Sequence, residues 1–290
     1  MSNFKILSDT SCDLSQELLE KYDIGLVPFY ITFDGGATYV KDRVEISLEE
    51  FYDKLSVKGA ELPKTSLPSV MDYADKFRPY LEDGRDVFCV CITSEFSGSY
   101  QSAVNAAEML LEEFPERKIK VLDSRLVAFL QGLIVMDIAE YRNEGKSIDE
   151  VYDLVNSYKD DSYIYLTVNT LENLQRGGRI GKASALAGGL LNIKPIIAFE
   201  DGALHPHSKV RGRKKSLTEV VDLTAEFLRG KESEYRVWVL SSRFEDDAQF
   251  MASYAKEKGI PIAGIGKIGV AVTIHGGLGV IGIIMMKNRV

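Results

Sequence analysis

Cysteine and histidine, which most often build disulfide frameworks and metal sites, are scarce in this chain, with three of each among 290 residues. Three cysteines do not make a disulfide framework in a protein of this length. Cys89 and Cys91 alternate on a predicted strand, which is typical of core positions. His205 and His207 lie in a predicted turn and lack cysteine or carboxylate partners at ligand spacing. We therefore predict no metal site.

Excess positive charge and long apolar runs are also missing. The formal net charge of −8 argues against a general nucleic-acid binder, whose affinity comes from neutralising phosphates. No stretch approaches the roughly 20 apolar residues of a membrane span, and no signal peptide is visible at the N-terminus. No Gly-x-x-x-x-Gly-Lys-Ser/Thr motif occurs, so an ATP site of the P-loop type is not expected. These absences predict a soluble cytoplasmic protein.

Predicted strands and helices alternate along the whole chain. A nearly continuous apolar run over 86–93 predicts a buried strand, and a helix is predicted to follow it over 100–114. Such repetition favours an α/β fold with mainly parallel sheets covered by helices. A polar run near residues 159–162 reads as a connector, which predicts two α/β domains, residues 1–158 and 159–290. In the second of these, a helical segment is predicted over 183–191.

Two loops rich in serine and threonine, called here the hydroxyl loops, open helices in the first third of the chain. They are residues 65–69 (TSLPS) and 94–99 (SEFSGS). The first turn of a helix has N–H groups with no intrahelical partner, and the helix dipole adds positive charge there. If the loops converge, they would hold a carboxylate or phosphate without a buried basic residue. Alternatively, these serines are only helix caps, as we expect for Ser69.

The histidine at position 275 is followed by glycines at 276, 277 and 279. A lone histidine is more often a core or turn residue than a functional one. The glycines, however, favour a loop pressed against another part of the protein. His275 is therefore a candidate third member beside the hydroxyl loops.

Basic residues are concentrated in two short segments. Arg176 and Arg179 flank a glycine pair, and residues 209–215 (KVRGRKK) carry five cations. Solvated surface is the usual interpretation of such a run. In a chain this acidic, a segregated basic patch is also a candidate docking face for an acidic partner or a phosphate.

These segments together resemble the DegV family of bacterial fatty-acid-binding proteins. The resemblance runs from about residue 4 to the C-terminus in the family's order, and its motifs are SDTSCDL at 8–14, TSLPS at 65–69, SGSYQSA at 97–103, GGRI at 177–180, NIKP at 192–195 and VRGRKK at 210–215. It implies two α/β domains with a long-chain fatty acid buried near the domain interface and no other cofactor. It also implies a non-catalytic role as the acyl-binding subunit of a fatty acid kinase. A separate ATP-dependent subunit would phosphorylate the bound acid for phospholipid synthesis, and transient membrane contact for lipid exchange is compatible with this role.

The resemblance also implies roles for individual residues. Thr65 and Ser97 match the hydroxyls that hydrogen-bond the carboxylate, with Ser66 and the Gly98 backbone as second contacts and His275 near the head group. Arg176 or Arg179 would support that site, and the surface cluster expected to face the kinase matches Arg211 and Arg213. The chain departs from the family pattern in two places. Leu67 stands where glutamine is common, and the usual Thr-His-x-Gly-Pro-Gly reads TIHGGLG at 273–279, so that the threonine is displaced and the proline is lost.

Physical chemistry agrees with this interpretation, since a fatty acid needs a small polar anchor and an apolar tunnel. The runner-up is a serine hydrolase that uses Ser97, Asp123 and His275 in that chain order. Against it, Ser97 lacks a Gly-x-Ser-x-Gly elbow, because Glu95 stands two residues before it. A third interpretation is a phosphate-dependent regulator that uses the basic cluster.

Overall fold

The computed structural model of the protein describes residues 4–57, 61–186 and 192–289. By its internal contacts the chain divides into two compact units. Of the described residues, the first unit holds 4–51, 61–159 and 289, and the second holds 52–57, 160–186 and 192–288. That residues 1–158 and 159–290 form two independent domains, as the sequence suggested, stays a prediction.

The first unit is built on two sheets. Its strands are β1 (Phe4–Asp9), β2 (Ile24–Val27), β3 (Tyr30–Thr32), β4 (Val40–Lys41), β5 (Lys64–Ser66), β6 (Asp86–Cys91) and β7 (Ile119–Asp123). Its helices are α1 (Gln16–Lys21), α2 (Leu48–Leu55), which begins in this unit and ends in the second, α3 (Val70–Glu82), α4 (Ser99–Glu113), α5 (Ala128–Asn143) and α6 (Ile148–Tyr158). The main sheet has the order β2-β1-β6-β7 and all its pairings are parallel; β3 lies between β4 and β5 in a small antiparallel sheet.

Helices α3 and α4 cover one face of the parallel sheet. Leu7, Val27 and Cys89 from the strands pack with Phe77 of α3 and Leu110 of α4 in one buried cluster. The β-strand at 86–91 and the helix at 99–113 confirm the sequence predictions for this region to within two residues. Both strand cysteines are fully buried and free, as the core interpretation predicted.

The second unit has one sheet of six strands. The strands are β8 (Ser162–Thr167), β9 (Ile193–Glu200), β10 (Ala203–Arg211), β11 (Tyr235–Ser241), β12 (Ile262–Lys267) and β13 (Ile281–Lys287), in the order β10-β9-β8-β13-β11-β12. The helices are α7 (Glu172–Arg176), α8 (Arg213–Leu228), α9 (Glu245–Glu257) and α10 (Val270–Gly276). Helices α8 and α9 cover the sheet, where Val220 and Met251 pack against Val239 and Ile283.

The α/β class and the parallel sheet of the first unit agree with the sequence prediction, but the second sheet differs from it. Among the described strands of that sheet, only β11 and β12 pair in parallel, whereas the other four pairings are antiparallel. Two features account for three of the four antiparallel pairings. The turn at Asp201 and Gly202 joins β9 to β10 as a hairpin, and the last strand, β13, returns between β8 and β11.

Two further predictions concern a helix of the second unit and the absence of a membrane span. The predicted helix at 183–191 begins inside a short 3-10 helix, Gly181–Leu186, and its remaining residues lie outside the described part of the chain. Within the described ranges, none of the helices combines the length and the apolar character needed to cross a bilayer.

Candidate functional site

The two hydroxyl loops of the first unit lie against each other. A Cβ atom built on Gly98 would be 3.4 Å from Cδ2 of Leu67, an ordinary contact distance. Thr65 and Ser66 end strand β5, opposite Ile31 and Tyr30 of β3. The convergence on which the carboxylate interpretation depended is therefore present within the first unit, and Leu67, one of the two departures from the family pattern, lies where the loops meet.

Ser97 is buried and accepts a hydrogen bond from the backbone N–H of Ser99 at 3.2 Å. A hydroxyl that accepts this bond still has its own proton to donate. Gly98 occupies the N-cap position of α4 and has no side chain with which to cap the helix. The first turn of a 15-residue helix thus starts beside the Ser97 hydroxyl, which is the arrangement that suits an anionic group.

The other hydroxyls of the first loop have different environments. Thr65 is half-buried, and Ser66 is exposed. Ser69 caps α3 in a reciprocal capping box: its hydroxyl accepts from the Asp72 N–H at 3.1 Å, and the Asp72 carboxylate accepts from the Ser69 N–H at 2.8 Å. The prediction that Ser69 is a helix cap is confirmed.

Asp9, which the sequence analysis did not single out, is the centre of a buried network at the same edge of the sheet. It ends strand β1 and is fully buried. Its carboxylate accepts hydrogen bonds from the hydroxyls of Ser11 and Ser99, the side-chain amide of Gln131 and the backbone N–H of Ile92. The available signal was an acidic residue at the carboxyl end of a predicted strand, at the edge where parallel α/β sheets bind ligands.

Burial raises the pKa of Asp9, and the four hydrogen bonds oppose that rise. A carboxylate without a cationic partner is acceptable inside a protein only when donors surround it, and here each oxygen receives two.

His275, the candidate in the second unit, lies in the last turn of α10. Its imidazole packs on Gly177, where an added Cβ would overlap Nδ1. Burial and, to a lesser extent, the positive charge of Arg179 lower the pKa of His275 to about 4. The ring is therefore neutral near pH 7 and carries one N–H donor and one acceptor nitrogen.

The glycines after His275 press against two asparagine side chains. Gly277 and Gly279 have φ values of +83° and +89°, and a Cβ on either would overlap the side-chain nitrogen of Asn173 or Asn169 respectively. Asn169 also donates to the Leu278 carbonyl at 3.0 Å. The prediction of a loop pressed against another part of the protein is confirmed, and its contacts lie within the second unit.

The four candidate arginines of the second unit differ in exposure. Arg176 ends α7 and is exposed. Arg179 is half-buried, donates a hydrogen bond to the Gly177 carbonyl and contributes to the lowered pKa of His275. Arg211 ends β10 and is exposed. Arg213 is half-buried; its Nε donates to Asp247 at 2.7 Å, and its guanidinium lies 5.8 Å from the centre of the Phe244 ring. Of the expected docking pair, Arg211 is thus the solvent-facing member.

Asp123, the proposed acid of the hydrolase alternative, accepts hydrogen bonds from the backbone of two loops. One of its oxygens accepts from the N–H of Ser94 at 3.2 Å and from that of Arg125 at 3.0 Å. This is the ordinary structural use of an aspartate after a strand. Among the described residues, no group of three or more His, Cys, Asp or Glu side chains is placed to hold a metal ion.

Comparison with known proteins gives consistent similarity over the full length of the chain. The profile of the family described as "Uncharacterised protein, DegV family" matches residues 3–288. A DegV domain-containing protein of Clostridium perfringens is 32% identical over 279 residues, which cover 96% of this chain and 97% of the relative.

Solved structures show the same fold. A stearic acid-binding protein from Eubacterium ventriosum is 33% identical, with a TM-score of 0.92 and 98% of each chain covered. A DegV family protein from Thermus thermophilus, described by its fatty acid binding, is 30% identical, with a TM-score of 0.88 and coverage of 99% of this chain and 100% of that one. These similarities confirm the mixed α/β fold.

Proposed function

We propose that this chain, which belongs to the DegV family, binds a long-chain fatty acid and holds its carboxylate with the hydroxyl loops. The observation that carries the proposal is the meeting of the two loops at the N-terminus of α4, where Ser97 is buried beside Gly98. The fatty-acid binding of the similar proteins from Eubacterium ventriosum and Thermus thermophilus supports the same ligand class.

The energetics suit this ligand. Burying about 15 methylene groups contributes on the order of 12 kcal/mol before the entropic costs of association. The carboxylate must keep hydrogen bonds when it leaves water. Thr65 and Ser97 would supply hydroxyl donors, and Ser66 and the Gly98 backbone would supply further contacts.

We also propose, as the family resemblance implies, that His275 and one arginine of the second unit contact the carboxylate. A neutral imidazole can donate one hydrogen bond to a carboxylate without adding a competing proton equilibrium near pH 7. Between Arg176 and Arg179, we favour Arg179 because it lies close enough to His275 to lower its pKa. Arg176 is exposed at the end of a short helix and is the less suitable candidate.

The proposed use of the bound acid is its phosphorylation by a separate ATP-dependent kinase subunit, to an acyl phosphate for phospholipid synthesis. The chain has no P-loop of its own, and its exposed cations Arg211, Lys214 and Lys215 suit an acidic docking partner. Because ATP is a cytoplasmic co-substrate, the proposal implies that the reaction takes place in the cytoplasm. Loading with a poorly soluble acid is compatible with transient contact with a membrane surface.

Native mass spectrometry of the purified protein, followed by solvent extraction and acyl-chain analysis, tests the ligand. We expect one fatty acid per chain, lost when Thr65 and Ser97 are both changed to alanine. Ser69→Ala is the matched control, because it removes a hydroxyl of the same loop that caps α3. A protein that contains no lipid and also fails to take up added palmitate or oleate contradicts the proposal.

The kinase relationship needs its own experiment. Protein loaded with palmitate is mixed with an ATP-dependent fatty acid kinase, and acyl phosphate is trapped with hydroxylamine as the hydroxamate. Arg211→Ala is expected to reduce hydroxamate formation while palmitate binding stays unchanged. Equal hydroxamate formation by the variant and the wild type over a range of kinase concentrations excludes Arg211 from docking.

A further inference from the structure

A single carboxylate oxygen joins the two residues that flank segment 93–98, which contains most of the second hydroxyl loop. Oδ2 of Asp9 accepts from the backbone N–H of Ile92 at 2.9 Å, where β6 has just ended. The same oxygen accepts from the hydroxyl of Ser99 at 3.0 Å, where α4 begins. The segment between these points, residues 93–98, contains both Ser97 and Gly98. Asp9 therefore sets the distance between the two ends of the loop that we propose holds the head group.

Ser99 connects this clamp to the Ser97 hydroxyl. Its side chain donates its only proton to Asp9, so Tyr73, whose hydroxyl is 2.6 Å from the Ser99 hydroxyl, must donate to Ser99. Its backbone N–H donates to the Ser97 hydroxyl at 3.2 Å. Because Ser97 accepts this bond, its own proton remains available for another acceptor. The orientation of Ser97 as a donor thus depends on where Asp9 holds Ser99.

The other oxygen of Asp9 is held by two further hydrogen bonds. Oδ1 accepts from the hydroxyl of Ser11 and from the side-chain amide of Gln131, the latter at 3.0 Å. Ser11 lies in the 3-10 turn after β1, and Gln131 lies in α5. With both oxygens held, the carboxylate cannot rotate to release the loop without leaving buried donors unsatisfied.

We propose that Asp9 is a positioning residue for the fatty-acid carboxylate: through Ile92 and Ser99 it fixes the 93–98 loop so that the Ser97 hydroxyl donates to the ligand. This inference rests on the proposed function and names a residue outside the head-group contacts. Asp9 itself does not touch the ligand, since it is enclosed by its own four donors.

The test compares the affinities for palmitate and for its methyl ester in four proteins: wild type, Asp9→Asn, Ser99→Ala and Ser8→Ala. The ester has the same chain but no charged head group, so the ratio of the two affinities reports on the head-group site. Ser8 is the matched control. Its hydroxyl is fully buried in the same network, where it accepts from the Gln131 side-chain amide and donates to the Val90 carbonyl, and neither bond involves Ile92 or Ser99 at the ends of the loop.

We expect Asp9→Asn and Ser99→Ala each to weaken palmitate binding about tenfold while methyl palmitate binding changes little, as is usual for loss of a hydrogen bond to a charged group. Ser8→Ala should keep the wild-type ratio. If Asp9 has only a structural role, Asp9→Asn will weaken the binding of palmitate and of methyl palmitate in proportion. If Asp9→Asn does not fold, an unchanged affinity ratio in Ser99→Ala still overturns the proposal. Failure of the proposed function gives a different result, because the wild-type protein itself would then bind neither ligand.

Discussion

The imidazole of His275 packs directly on Gly177, so that no side chain larger than hydrogen fits between α10 and the end of α7. The backbone of Gly177 has φ −72°, which any residue can adopt, so the glycine is required for this close approach rather than for its conformation. Gly177 therefore determines the position of the histidine ring within the second unit.

Gly177→Ala should displace the His275 ring, weaken palmitate binding about tenfold and lower the free energy of unfolding by about 1–3 kcal/mol, because the new Cβ overlaps the mostly buried imidazole although the backbone tolerates alanine. Isothermal titration in a double-mutant cycle with His275→Ala checks this. The alanine at 177 should have no further effect once the imidazole is absent. Additive losses in affinity would show that Gly177 acts by another route.

The lowered pKa of His275 predicts a specific dependence of stability on pH. The folded protein holds the ring neutral down to about pH 4, whereas the unfolded chain takes up a proton near pH 6.5. Stability from this group is therefore complete above pH 6.5, declines as the pH falls from 6.5 to 4 and is then constant. The loss is on the order of 2 kcal/mol after allowance for the partly exposed ring. Urea unfolding at pH 7.5 and pH 4, compared between wild type and His275→Gln, isolates it. Equal pH dependence in the two proteins contradicts the prediction.

Ser69 and Ser97 should separate stability from binding. Ser69→Ala removes the helix cap of α3 and should lower the free energy of unfolding by about 1 kcal/mol, with palmitate affinity unchanged. Ser97→Ala should lower palmitate affinity about tenfold with a smaller effect on stability. Chemical denaturation and titration of the same two variants provide both numbers. If Ser69→Ala impairs binding as strongly as Ser97→Ala, the first loop acts as a unit rather than through Thr65.

Covalent labelling distinguishes lipid binding from hydrolysis. A serine-directed fluorophosphonate should not label Ser97. The carboxylate that would serve as the acid of a catalytic triad, Asp123, instead accepts hydrogen bonds from the backbone N–H groups of Ser94 and Arg125. Intact-protein mass spectrometry of the delipidated chain measures the adduct, with a known serine hydrolase as the positive control. Stoichiometric labelling that disappears in Ser97→Ala would establish the hydrolase instead.

Arg211 and Arg213, which are separated only by Gly212 in the basic cluster, should respond differently to substitution. Arg213→Ala breaks the half-buried pair with Asp247 and the contact with Phe244, and should lower the free energy of unfolding by about 1–2 kcal/mol. Arg211→Ala should leave stability within about 0.5 kcal/mol of wild type, as for other exposed side chains. Thermal unfolding monitored by circular dichroism compares the two. Equal melting temperatures would show that the Arg213 pair contributes nothing measurable.

Local sequence patterns were sufficient for much of the first unit. The serine at 69 followed by Asp72 predicts a cap because both partners of the capping box lie within one turn. The apolar run at 86–91 predicts a buried strand because a parallel sheet covered by helices leaves no face for polar residues. The order of the short motifs was also sufficient to assign the family.

The pairing directions in the second unit were not predictable in the same way. Alternation of strands and helices is compatible with several sheet orders, and β13 enters between β8 and β11 from the far end of the chain. A strand's direction relative to its neighbours depends on contacts between distant segments, which a local pattern does not contain.

By itself, the sequence determined the class of fold, the family and the hydroxyl loops, because capping, periodicity and glycine placement act over a few residues. Only the tertiary structure decided that Asp9 holds the second loop, that Arg213 is paired while Arg211 is exposed, and that His275 rests on Gly177. The donors to Asp9 come from positions 11, 92, 99 and 131. Such a network exists only after folding brings those segments together, and burial then makes each of its hydrogen bonds costly to lose.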